Sequence, residues 1–154
     1  MIVFSKIGKR SGYLLLGTFL AAMCLAGCAA TIHHVYDPAA DFSKIKNYGW
    51  EREKTYTNSY NTLIEKNVRY YADQSLQNKG YALTSDKPDV VVAMNYETEY
   101  SDPYKLRVLT IYIYRTQGQG KIWQGTADGT ISADAASSEL AAAVRKILAN
   151  FPPR

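Results

Sequence analysis

Three segments in the second half of the chain, Val90 to Tyr100, Arg107 to Arg115 and Ile122 to Ile131, alternate apolar and polar residues with a period of two. A strand turns successive side chains to opposite faces, so this period describes a β-sheet with one face to bury. The connections, Ser101 to Leu106 and Thr116 to Lys121, have the length and composition of hairpin loops, which makes the three strands an antiparallel meander. The apolar face needs a cover, and two amphipathic segments can supply it. One helix should begin around Ser59 to Thr62, where Thr62 and Glu65 have capping-box spacing. It carries Ile64, Val68, Tyr71, Ala72 and Leu76 as a stripe and ends before Gly80. The second should run from about Ala135 to Ala149, capped by Asp134 or Ser137, with Leu140, Val144, Ile147, Leu148 and Phe151 on one face and Pro152-Pro153 as its stop. The expected fold class is α+β: a two-layer sandwich, mainly antiparallel sheet, with two helices on one face.

Shorter signals fill in the rest. Tyr48-Gly49-Trp50 and Tyr81 to Leu83 read as short strands, Glu51 to Tyr60 as a loop, and Asp86-Lys87-Pro88-Asp89 as a turn. Asp128-Gly129 marks a bulge or an early strand end. A two-residue loop at Pro103-Tyr104 would set Glu99 opposite Val108, Glu97 opposite Thr110 and Asn95 opposite Tyr112. Val90, Val92, Met94, Tyr96, Leu109, Ile111, Ile113, Trp123, Ala127 and Ile131 would then point to the helices. Asn95, Glu97, Thr110, Tyr112 and Tyr114 would lie on the other face, with Gln124, Thr126 and Asp128.

Ahead of this domain stands an export signal. Lys6, Lys9 and Arg10 form a basic region, Tyr13 to Cys24 an apolar run interrupted only by Gly17 and Thr18, and small residues follow. Leu25-Ala26-Gly27-Cys28 resembles the bacterial lipobox, whose cysteine thiol is diacylated and whose chain is cut between the residues matching Gly27 and Cys28. Three regions follow: residues 1–27 as lipoprotein signal peptide, 28–37 as lipidated tether, and 38–154 as a single α+β domain. The membrane partner is reached through that lipid, since more than one acyl chain anchors stably. Ala29 stands where enteric lipoproteins retained at the inner membrane carry Asp, so the resemblance implies the periplasmic face of the outer membrane. The residues leave a second reading, an uncleaved anchor over residues 11–32, which contain no charge.

Charge and chemistry narrow the function classes. Lys and Arg number 18 against 14 Asp and Glu, and three of that excess of four belong to the signal, so no basic surface remains for nucleic acid. Cys24 leaves with the signal and Cys28 is taken by lipid, so the domain should fold without disulfides. His33-His34 lies in the expected tether with no third ligand near it, and no histidine follows, so no metal, no cofactor and no histidine-based catalytic site is expected. Glu97 and Glu99 share a strand face, the one pairing that would suit carboxylate chemistry. Gly118 and Gly120 read as turn residues and Trp50 and Trp123 as core.

Asp37, Ala40-Asp41-Phe42-Ser43, Tyr48-Gly49-Trp50, Lys79-Gly80-Tyr81, Pro88-Asp89-Val90, Ile122-Trp123-Gln124-Gly125, Ile147-Leu148 and Phe151-Pro152-Pro153, in this order, resemble the bacterial envelope family called domain of unknown function 4136. Arg115 to Lys121 departs from the acidic turn of that family. The resemblance implies an envelope lipoprotein without assigned chemistry and brings no catalytic residues. The expected function is a non-catalytic binding or assembly module with an envelope protein or glycan partner. The alternative is an envelope hydrolase using Asp and Glu side chains. The expected partner face carries Tyr112, Tyr114, Thr110, Asn95 and Glu97, because tyrosines join apolar area to a hydrogen-bonding tip.

Overall fold

The computed structural model describes residues 30–52, 59–116, 120–134 and 136–153. Six strands form one sheet: β1 (Thr31–Tyr36), β2 (Asn47–Trp50), β3 (Ala82–Leu83), β4 (Val90–Glu99), β5 (Asp102–Arg115) and β6 (Lys121–Ser132), in the order β1-β6-β5-β4-β2-β3. Two helices, α1 (Ser59–Gln77) and α2 (Glu139–Ala149), complete the described elements with a 3-10 turn at Phe42–Lys44. Ile64, Val68, Ala72 and Leu76 of α1 recur every fourth residue, and all are buried with Leu140, Val144, Ile147 and Leu148 of α2. They join Val92, Met94, Leu109, Ile111, Ile113, Trp123, Ala127 and Ile131 in one core. The α+β sandwich with helices over one sheet face is therefore the observed architecture.

The meander β4-β5-β6 is antiparallel as the alternation predicts, but the sheet is mixed at one side. β2 runs parallel to both β4 and β3, because α1 carries the chain back to the starting end of the sheet before β3 and β4 begin. Asp89 fastens that side: its Oδ2 accepts from the backbone N–H of Lys46 and Asn47 at 2.9 and 3.0 Å, and Asn47 Oδ1 accepts from Asp89 N–H at 2.7 Å.

The structure corrects several expectations. Residues 31–36 are not a tether but β1, which pairs antiparallel with β6 from Thr31 opposite Asp128 to Tyr36 opposite Trp123. Thr-Ile-His-His-Val-Tyr is rich in β-branched and aromatic residues, and β6 offers it a free edge. The two histidines are thus part of the sheet, on opposite faces of β1 by strand alternation. An apolar span over 11–32 would also have to end before Thr31. In the β4-β5 hairpin the turn is Tyr100-Ser101, with Glu99 opposite Asp102, and β5 begins five residues earlier than expected. Asn95 consequently faces Thr110 and Glu97 faces Val108, a slip of two residues. Two is the strand period, so every side chain keeps its face.

The helix starts differ as well. Thr62 lies inside α1, and Glu65 binds Arg69 rather than closing a capping box. Asp134 Oδ1 accepts from Ala136 N–H at 2.7 Å and Ser137 Oγ from Glu139 N–H at 3.2 Å, so these side chains shape the approach and α2 begins only at Glu139, behind Ser138. Part of the Glu51 to Tyr60 loop and part of the β5-β6 turn lie outside the described residues.

Candidate partner surface

Among the described residues no helix covers the second face of the sheet. Its rows follow from the register: Thr31, Asp128, Val108 and Glu97; then His33, Thr126, Thr110 and Asn95; then Val35, Gln124, Tyr112 and Ala93. Tyr114 continues the face opposite Val91. Tyr112 and Tyr114 stand 6.1 Å apart between ring centroids, both half-buried against the sheet. Lys121 Nζ sits 5.5 Å from the Tyr112 centroid and donates to Gln124 Oε1 at 2.6 Å. Gln124 Nε2 donates to Thr126 Oγ1 at 3.5 Å, and Thr126 Oγ1 shares a 3.1 Å bond with Thr110 Oγ1. Burial, then the neighbouring Tyr112 and Glu51, pushes the Tyr114 phenol above its ordinary value.

The residues expected here are brought together with one exception. Asn95 and Glu97 are exposed and the two tyrosines half-exposed, but Thr110 is buried at 6% exposure beneath longer neighbours. It holds Thr126 rather than meeting a partner. Gly27 and Cys28 lie outside the described residues. Glu97 and Glu99 are separated by register breaks on both sides of Thr98, and Glu99 Oε1 accepts from Thr130 Oγ1 at 3.3 Å.

A second polar cluster, not anticipated from the sequence, joins α1 to β2 on the helix side. Asp73 Oδ1 accepts from Tyr48 Oη and Trp50 Nε1, each at 2.8 Å. Arg69 lies 4.7 Å from the Trp50 ring centroid, donates to Glu65 Oε1 at 2.7 Å and to the Glu51 carbonyl at 2.9 Å. Burial, reinforced by the Asp73 carboxylate, pushes the Tyr48 phenol far above its usual value. The spacing of Glu65, Arg69 and Asp73, four residues each, was the signal that would have found it. Its work is mechanical: it locks a buried tyrosine and a half-buried tryptophan of β2 onto the helix.

The motif residues of the family resemblance also prove to be fasteners. A Cβ on Gly49 would meet Pro88 Cγ and the Thr84 carbonyl oxygen at 3.0 Å, so only glycine lets β2 pass the Pro88-Asp89 turn. Gly125 makes room for the Trp123 ring and for Ile147. Phe151 gathers Trp123 and Tyr81 at 5.5 Å and Phe42 at 6.0 Å, and Lys79 Nζ donates to the Phe151 carbonyl at 2.7 Å.

Such a molecule is a two-layer α+β domain with one bare sheet face and a motif set spent on holding that frame together. The chain belongs to the family described as domain of unknown function (DUF4136), whose model matches residues 32–153. Similar solved structures include a DUF4136 family protein from Bacteroides thetaiotaomicron, 11% identical with a TM-score of 0.57, covering 82% of this chain and 97% of that one. A PelC dodecamer from Paraburkholderia phytofirmans is 15% identical with a TM-score of 0.54, covering 77% and 94%. A PDZ domain protein from Parabacteroides distasonis is 13% identical with a TM-score of 0.59, covering 81% of this chain, which spans only 36% of that protein. At these identities the likeness is one of fold. Among curated proteins no relative matches the sequence.

Proposed function

We propose that this chain is a lipoprotein acylated on Cys28, anchored at the periplasmic face of the outer membrane, and that it works as a non-catalytic binding or assembly module. The observation that carries the binding role is the bare sheet face with its Tyr112-Tyr114 pair, flanked by Asn95 and Glu97. A flat face of this kind suits a protein or glycan surface: the tyrosine rings supply apolar area, and the Lys121-Gln124-Thr126 chain holds the polar groups in place before contact, which lowers the cost of ordering. A fold neighbour that assembles as a dodecamer supports an assembly role for this architecture. A photo-crosslinking residue at position 112 in intact cells tests the reading. A defined crosslinked species is expected from position 112 and none from position 70, an exposed site on α1. Equal yields at both positions, or none at either, would refute the assignment of this face.

A further inference from the structure

Cys28, the proposed acylation site, stands two residues before Ala30 in the sequence, and Ala30 is fixed at one end of the sheet. Ala30 is packed against the core, and a Cβ on Gly129 would stand 3.3 Å from its Cα. Only Ala29 separates Ala30 from Cys28, so the acylated sulfur has roughly two residues of reach, about 7 Å, from the fixed edge of the sheet. Such an anchor leaves the domain little freedom to swing away. It also decides which end meets the bilayer. The chain running back from Thr31 to Ala30 follows β6 forward past Asp128 and Gly129, and β4 runs in the same direction toward the Tyr100-Ser101 turn.

That end has a distinctive surface. Tyr100, at the hairpin tip, is fully exposed. Beside it lies an open concavity of about 550 Å³ lined by Glu99, Tyr100, Arg107, Asp128, Gly129 and Thr130. Irregular pairing makes it: Arg107 has no partner on β4 or β6, while Gly129, at φ +131°, and Thr130 form a bulge opposite it. Arg107 forms no ion pair among the described residues, whereas Lys105 is engaged with Asp102 at 3.6 Å.

We infer that this end rests on the bilayer, with Tyr100 at the interface and the concavity receiving a zwitterionic phosphoethanolamine headgroup. The inference rests on Cys28 acylation. Arg107 presents the planar donor fork that suits a phosphate, and Glu99 and Asp128 on the rim suit a primary ammonium. Tyrosine is a residue of membrane interfaces. Arg107 shares the lining of the concavity with two carboxylates, Glu99 and Asp128, so the surface does not favour a purely anionic headgroup.

The full processed chain, its acyl groups verified by intact mass, tests this in phosphatidylethanolamine-containing vesicles. Tyr100→Cys introduces the one thiol free for a nitroxide label, and Asp86→Cys places the same label in the turn before β4, at the other end. By power saturation, position 100 should be more accessible to oxygen and position 86 to a water-soluble nickel complex. Equal nickel access in acylated chains overturns the docking while leaving the anchor intact; absence of acyl groups overturns both. For the headgroup, glycerophosphoethanolamine added to the acylated chain in micelles should shift the amide resonances of Asp128, Gly129 and Thr130. Arg107→Gln should weaken that binding roughly tenfold, the loss of one charge-assisted hydrogen bond. Glycerophosphoglycerol binding as tightly as glycerophosphoethanolamine, or Arg107→Gln binding unchanged, would overturn the headgroup assignment.

Discussion

At the scale of single residues, Asp73 does the most with the least. One carboxylate oxygen receives both polar tips of β2, the Tyr48 hydroxyl and the Trp50 indole, at 2.8 Å each. Burial, reinforced by the hydrogen bond to that carboxylate and by its charge, keeps the Tyr48 phenol protonated well above its ordinary value of 10.0. A folded-state value raised in this way has a definite consequence for stability. The contribution is whole below about pH 10, where the unfolded tyrosine titrates, and is lost as pH rises from there toward the folded value. Tyr81 and Tyr114, raised mainly by burial, act in the same direction. Tyr48→Phe should therefore cost about 1 kcal/mol at neutral pH, because Asp73 keeps Trp50 but loses a partner. It should also flatten the decline of stability above pH 10, measured by urea unfolding between pH 7 and 11. An unchanged alkaline slope would show that Tyr48 is not the group responsible.

Among the elements, β6 and α2 depend most closely on each other. α2 lies over β6 and β1 and beside α1, so its apolar stripe closes the core over the strand that holds Trp123. At Gly125 the two layers approach tightly, since a Cβ there would run into the Trp123 ring and stand 2.7 Å from Ile147 Cγ2. Gly125→Ala should lower stability by about 2 kcal/mol through overpacking, read by thermal unfolding. The compensating pair Gly125→Ala with Ile147→Val should recover part of that loss, and a pair no better than the single change would contradict the contact. β1 is an element of a different kind. It contributes no large fully buried side chain, and it is held by its ladder to β6 and by Ile32 and Ala30 against the core. Val35 at 67% exposure and Tyr36 at 41% leave its outer edge open.

For the whole molecule, the surfaces divide by what covers them. One sheet face is covered by the helices, the other is bare among the described residues, and the β4-β5 hairpin lies at the same end of the sheet as Ala30. Cys28→Ser should abolish labelling by a clickable palmitate analogue and release the chain from the membrane fraction, with equal labelling of both forms counting against acylation. A chain processed at Cys28 as proposed would lose Cys24 and hold no second thiol, so its melting temperature should be the same with and without dithiothreitol; a lowered value would count against that processing.

Much of this was already legible in the amino-acid order. Period-two alternation over β4, β5 and β6 determined which side chains go inward, and the four-residue spacing of Ile64, Val68, Ala72 and Leu76 determined the face that α1 buries. Both are local consequences of backbone geometry, which is why the two-residue slip in the hairpin left every face assignment intact. Asp128-Gly129 was legible as a bulge or an early strand end, and the structure selects the bulge, because β6 runs on to Ser132. Tertiary structure alone decided what no window of residues contains. β1 became a strand because β6 offered an edge 87 to 97 residues away in sequence, and β2 joined in parallel because α1 returned the chain. Thr110 was buried because its central strand places it between Thr126 and Asn95 on the neighbouring strands. Glu65, Arg69 and Asp73 became a clamp only when Tyr48 and Trp50 arrived on the neighbouring strand. Each of these depends on a pairing partner distant in the chain, and the partner is selected by how the layers fit rather than by the preference of the segment itself.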